Sequence, residues 1–108
     1  MNGNFNSQYT DKEVLEKLGL TEATYAEVLD LLISKGYYCS VFPVSTFSTQ
    51  NETAYYPVLV HGNPNNWYMT RKETNFPLMH SKWDSAMDEA IQKAIETIYP
   101  KETEHQPL

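Results

Sequence analysis

Cysteine is nearly absent: the single thiol, Cys39, cannot form a disulfide within the chain. A domain without internal disulfides suits a reducing compartment, so a cytoplasmic location is expected. Positive charge is also scarce, with 8 Lys and Arg against 14 Asp and Glu and a formal net charge of −6. Such a field repels phosphate backbones and anionic headgroups, which argues against nucleic acid and membrane surfaces as partners. The cations are scattered, and their one adjacent pair, Arg71-Lys72, reads as a solvated strand end. No run approaches the roughly 20 apolar residues that a bilayer crossing needs. The opening Met1-Asn-Gly-Asn-Phe-Asn-Ser has neither the positive nor the apolar region of a secretory signal. With 4 glycines there is no phosphate-binding Gly-rich loop, no G-x-G-x-x-G and no serine nucleophile in a Gly-flanked turn.

What remains is apolar enough to fold, at 41% hydrophobic and 13% aromatic residues. A chain of 108 residues buries about two thirds of its unfolded surface, enough for one core. Residues 1–9 are polar, Asn-rich and without period, and are expected to be a flexible lead-in; 101–108 form a charged tail. The single domain is therefore expected over 10–100.

Within it, Thr10-Asp-Lys-Glu13 has capping-box form and predicts a short helix to Leu18, stopped by Gly19. Thr21 is expected to open a second helix, where Tyr25, Val28, Leu29, Leu32 and Ile33 make one apolar stripe before Gly36. From Tyr37 the period changes. Residues 37–46 and 54–61 are rich in aromatic and β-branched side chains and predict two strands around a polar loop at 47–53. After the turn formers of 62–66, residues 67–72 predict a third strand, and 73–80 a loop with room for a short extended piece. Ala86, Met87, Ala90, Ile91, Ala94, Ile95 and Ile98 follow the helical period behind a Ser81/Asp84 capping box, with Pro100 beyond. The fold class is α+β: a three-stranded antiparallel meander with N-terminal and C-terminal amphipathic helices on one face.

A helix ending in Lys-Gly, then Tyr- and Val-rich strands, then a closing Ala-rich helix resembles short uncharacterised α+β proteins of phages and prophage regions of gut Bacteroidetes. The residues that carry the likeness are 24–36 running into 37–44, and 83–95. The resemblance implies an origin in a mobile element and an accessory role such as counter-defence. It brings no catalytic residue with it.

Catalytic constellations are sparse. His61, His80 and His105 lie on separate elements and Cys39 stands alone, so neither a metal site nor a cofactor is expected. A hairpin centred near Thr49 and Gln50 would set Cys39 opposite His61, and a thiol beside an imidazole can serve as nucleophile and base. Packing is the favoured reading of that thiol, and no third group orients the pair. The carboxylates Asp84, Asp88, Glu89 and Glu96 read as the solvated face of the last helix.

The same hairpin separates two sheet faces, neither of them polar. One carries Tyr37, Cys39, Val41, Leu59, His61, Trp67 and Met69 and is assigned to the core. The other presents Tyr38, Phe42, Tyr56, Val58 and Tyr68. Two helices of this length cover one face of such a sheet, so the second apolar face is expected to be a contact surface. Pro43 and Pro57 favour the first strand as an edge. The expected function is a non-enzymatic interaction module, binding a protein partner or a second copy as a homodimer. The alternative is a small-ligand binder or minor enzyme with a cleft near Cys39, His61 and His80.

Overall fold

A computed structural model describes residues 4–45 and 53–100. Most of the loop expected at 47–53 and the tail at 101–108 lie outside the described residues. The chain is mixed helix and sheet. In order it runs β1 (Gln8–Tyr9), α1 (Lys12–Lys17), β2 (Ala23–Thr24), α2 (Tyr25–Ser34), β3 (Tyr37–Ser45), β4 (Thr53–His61), a 3₁₀ turn (Pro64–Asn66), α3 (Trp67–Thr70), β5 (Lys72–Thr74) and α4 (Trp83–Ile98). β3, β4 and β5 form a three-stranded antiparallel sheet in that order, and β1 pairs with β2 in a two-stranded one.

Regular structure thus begins before Thr10, where the sequence suggested only a lead-in. Tyr9 pairs with Ala23, sits 3% exposed and meets the Tyr25 ring edge to face at 5.1 Å. That short ladder also decides where α2 starts. Ala23 and Thr24 are held extended by β1, so the helix opens at Thr24 and not at Thr21. Thr24 makes a full capping box: its hydroxyl accepts from the Glu27 amide at 3.2 Å and its own amide donates to the Glu27 carboxylate at 2.8 Å. In α1 the cap is Asp11, one residue past the expected Thr10, because its carboxylate accepts from the amides of both Glu13 and Val14. The box expected at Ser81 and Asp84 does not form. Asp84 instead accepts from the Ser85 amide at 2.9 Å, and the N-cap position of α4 is Lys82.

The third strand is the main correction. Residues 67–70 are helical and the strand is displaced to Lys72–Thr74. Local polar bonds account for the shift. Asn63 accepts from the Asn65 amide, Pro64 presets the first turn, and the Thr70 hydroxyl donates to the Asn66 carbonyl while accepting from the Asn63 amide. Together they close a turn around Trp67 and Met69 despite the strand preference of those side chains. Met69 is then 77% exposed and Trp67 only half-buried, so neither belongs to the core.

β3 and β4 pair two residues away from the expected register, with Cys39 opposite Leu59 and His61 opposite Tyr37. A shift of two leaves every side chain on its expected face. Both prolines sit where no ladder bond is lost. Tyr55 exchanges amide and carbonyl with His80, so odd-numbered positions of β4 point away from β3. Pro57 therefore faces the gap that residues 75–79 leave between Thr74 and His80. By the same alternation Pro43 points to the open edge of β3. At the start of β3, Gly36 has φ +91°, and a Cβ there would lie 2.2 Å from the Gly62 carbonyl oxygen. Only glycine permits that approach, in which the Gly62 amide donates to the Gly36 carbonyl.

The core joins Val28 and Leu32 of α2, Met87, Ala90, Ile91, Ala94 and Ile95 of α4, and Cys39 and Leu59 of the sheet. Phe76, from the segment read as a loop, is buried with them. Ile95→Ala should cost about 2–5 kcal/mol through lost methylenes and a residual cavity, whereas exposed Glu96→Ala should move the chemical-denaturation midpoint little. At the N-terminus, the Tyr9 hydroxyl is buried without a hydrogen-bond partner among the described residues. The ring is thus the stabilising part. Tyr9→Phe should be nearly neutral and Tyr9→Ala should cost about 3–5 kcal/mol by the same measurement.

Candidate functional site

The pleat brings most of the expected contact residues together. The pairs Tyr38–Val60, Ser40–Val58 and Phe42–Tyr56 set these side chains on one face, opposite Cys39 and Leu59. Phe42 is 60% and Tyr38 46% exposed; Val58 and Val60 are half-buried. Tyr56 differs from its neighbours. Its hydroxyl donates to the Phe76 carbonyl at 2.7 Å and accepts from the Phe76 amide at 3.1 Å, and its ring packs against the core. It anchors the 75–79 segment as well as bordering the face. Tyr68 rides on α3, outside the pleat, highly exposed and with the Arg71 guanidinium 4.9 Å from its ring centre.

Because residues 64–70 coil instead of extending, they frame clefts at one end of the sheet that the sequence reading missed. One, of about 390 Å³, is lined by Ile33, Tyr37, Tyr38, Pro64 and Trp67. A second, of about 460 Å³, shares Tyr38 and Trp67 and adds Val60, Arg71 and Glu73. The available signal was the density of turn formers at 62–66, which also favoured a helical start at Pro64. Ile33, expected in the apolar stripe of α2, is half exposed at this rim.

The Cys39, His61 and His80 grouping does not assemble. Cys39 is buried opposite Leu59, and burial pushes its thiol up to about 12, away from nucleophilic thiolate character. The His61 ring stacks on Tyr37 at 5.3 Å. His80 bridges to Tyr55 and lies 2.5 Å from the Glu89 carboxylate. Tyr55 and His61 are separated along β4 by about 20 Å at the strand rise. Among the described residues no group of three or more His, Cys, Asp or Glu is placed to hold a metal ion.

Two carboxylates read as solvated are used internally. Asp88 accepts from the Tyr25 hydroxyl at 2.6 Å, and Glu89 meets His80. Burial raises the Asp88 carboxyl above its ordinary value of 3.8, the Tyr25 hydrogen bond opposes that, and Asp84 and Asp11 add like-charge repulsion. The Tyr25 hydroxyl is raised in turn, by burial first and then by the Asp88 hydrogen bond and charge. This is a structural pair beneath Trp83, which meets Tyr25 edge to face at 5.2 Å.

Among the described residues no helix is long and apolar enough to cross a membrane. Comparison with protein-family models, with curated proteins and with solved structures finds no match to this chain.

Cys39 should resist a disulfide-exchange reagent in the folded protein and react stoichiometrically on unfolding, as followed by absorbance of the released thiol; rapid reaction under native conditions would contradict the burial. The folded state also holds the Asp88 proton more tightly than the unfolded chain. Its contribution to stability is full below pH 3.8 and is lost as pH rises through the raised folded value. Asp88→Asn should remove that decline, so the difference in denaturation midpoint between variant and wild type should change across this window and be level above it.

Proposed function

We propose that the chain is a small non-enzymatic protein-interaction module, working in a reducing cytoplasm through the sheet face that carries Tyr38 and Phe42. The observation that carries this is the exposure of those two aromatic side chains on one face of β3, with Ser40 between them. α4 packs against β3 and β4 and α2 against β3, and the buried Cys39, Pro57 and Leu59 share the opposite face. Both large helices on this reading cover that one face and leave the other open. Tyr and Phe give large rigid area with few rotamers to freeze, which is why such rings recur at contact surfaces. Val58 and Val60 fill the ground between them. Tyr68 and Trp67, from α3, extend the surface past the end of the sheet. The buried, high-pKa Cys39 and the separated imidazoles favour this reading over catalysis. The likeness to phage and prophage proteins supports an accessory role, with counter-defence as one form of it.

The test is affinity capture from the native host, using wild type, Phe42→Glu and the surface control Glu96→Ala as baits. Phe42→Glu should lose a specific partner that wild type and Glu96→Ala both retain, while its denaturation midpoint stays within about 0.5 kcal/mol of wild type. Tyr56→Phe, by contrast, should cost about 0.5–1.5 kcal/mol through the Phe76 hydrogen bonds. Identical partner sets for all baits would exclude the face as the contact surface.

A further inference from the structure

We propose that the partner is a second copy of the chain, joined through the open edge of β3 beside this face so that two three-stranded sheets become one six-stranded antiparallel sheet. The inference rests on the reading of the Tyr38 and Phe42 face as a contact surface, and adds to it an occupant and a register.

The edge is available. β3 is the outer strand of the order β3-β4-β5, and among the described residues its backbone hydrogen-bonds to no element besides β4. The alternation that turns even-numbered residues of β3 toward β4 turns the amides and carbonyls of Tyr37, Cys39 and Val41 outward. An exposed edge of this length is a template for another strand, and folded proteins usually blunt it with charge, proline or a bulge. Here Tyr37–Ser45 contains no charged residue, and the one such device is Pro43. The rest of the molecule carries a net charge of −6, so two copies repel over most orientations. The uncharged β3 edge is where they can meet without like charges opposed. A partner strand of basic character would find no carboxylate on this edge to pair with.

The register follows from the side chains. A two-fold axis through Ser40 sets Tyr38 of one copy opposite Phe42 of the other, twice, on the open face, and Cys39 opposite Val41 on the covered one. The Cys39 and Val41 backbones then exchange both bonds. Pro43, which cannot donate, falls at the end of the ladder, where its carbonyl still accepts from the Tyr37 amide. Centring on Cys39 would keep the same number of backbone bonds but set Tyr38 against Ser40 and Phe42 against Gly36, without an aromatic pair. Centring on Val41 would bring Pro43 closer to the middle and set Phe42 against Ser40. The Ser40 axis gives two aromatic cross-strand pairs, against the single Phe42 pair of an axis through Phe42, and is therefore favoured.

The axis makes a sharp test, because the Ser40 residues of the two copies become a directly opposed pair whose backbones do not bond each other. Their Cα atoms then lie about 4.5 Å apart, within disulfide range. Sedimentation should show wild type as a dimer. Ser40→Cys should give a disulfide-linked dimer under glutathione redox buffer, while wild type, with Cys39 alone, and the control Glu96→Cys should not. Phe42→Glu should weaken the dimer by about tenfold or more, with folding checked by its denaturation midpoint. Mixed with Tyr38→Lys it should form a heterodimer, since the new charges face each other across the axis. A wild type that stays monomeric at near-millimolar concentration overturns the proposal, as does a dimer that Ser40→Cys does not link. If a monomeric wild type still loses a captured partner on Phe42→Glu, self-pairing fails and the contact face stands; if Phe42→Glu disrupts only the dimer, the second copy is the partner.

Discussion

The seating of α4 is the constraint on which the other elements depend. Its buried side Met87, Ala90, Ile91, Ala94 and Ile95 supplies the largest share of the core, and the alanines let the helix come close to β3 and β4. Its polar side is not idle solvent cover. Asp88 takes the Tyr25 hydroxyl at the head of α2, Gln92 donates to Asp11 at the cap of α1, and Glu89 meets His80 at the bridge beside β4. Trp83, in its first turn, closes an aromatic row with Phe5 and Tyr25. One helix thereby ties the N-terminal β1-α1-β2-α2 portion to the sheet of β3, β4 and β5. The half-buried Asp88 shows the cost of such a tie, since its charge is partly desolvated and only partly compensated by Tyr25.

The sheet shows how local chemistry and hydrogen-bond alternation share the work. Pro43 and Pro57 both lie within strands, and both occupy positions whose amide would have pointed away from the β3–β4 ladder. At Pro57 the neighbouring chain bulges out over 75–79, and Tyr56 closes that gap by bonding both backbone groups of Phe76. The missing ladder bond and the side-chain bonds are parts of one arrangement. It also buries Phe76, while Tyr38 and Phe42 remain exposed.

The proposed function rests on what that arrangement exposes. Among the described residues no group of three or more His, Cys, Asp or Glu converges; the one thiol is buried, and Tyr25 and Asp88 are hydrogen-bonded to each other. The exterior holds an uncharged strand edge and a row of rings in a chain that is otherwise strongly acidic. A surface of that kind is suited to recognition by shape and backbone pairing, and an acidic remainder keeps it from associating elsewhere.

Sequence by itself determined the elements whose period is long and whose ends are marked: the stripes of α2 and α4, the two long strands, the edge position of β3 and the division of the hairpin into two faces. These are local regularities, and a two-residue error in register left the faces intact because the side-chain period of a strand is two. Tertiary structure alone decided the rest. Gln8 and Tyr9 carry no period, and become a strand only because Ala23 and Thr24 are there to pair with them and Tyr25 is there to receive the ring. Asp88 and Glu89 look solvated on a helical wheel, and are engaged because Tyr25 and His80 arrive from distant segments. Trp67 and Met69 have strand propensity but lie in a turn closed by Asn63, Asn66 and Thr70, and that placement built the clefts beside Tyr38. Propensity is worth a fraction of a kcal/mol per residue, so a few specific hydrogen bonds or one buried ring outweigh it.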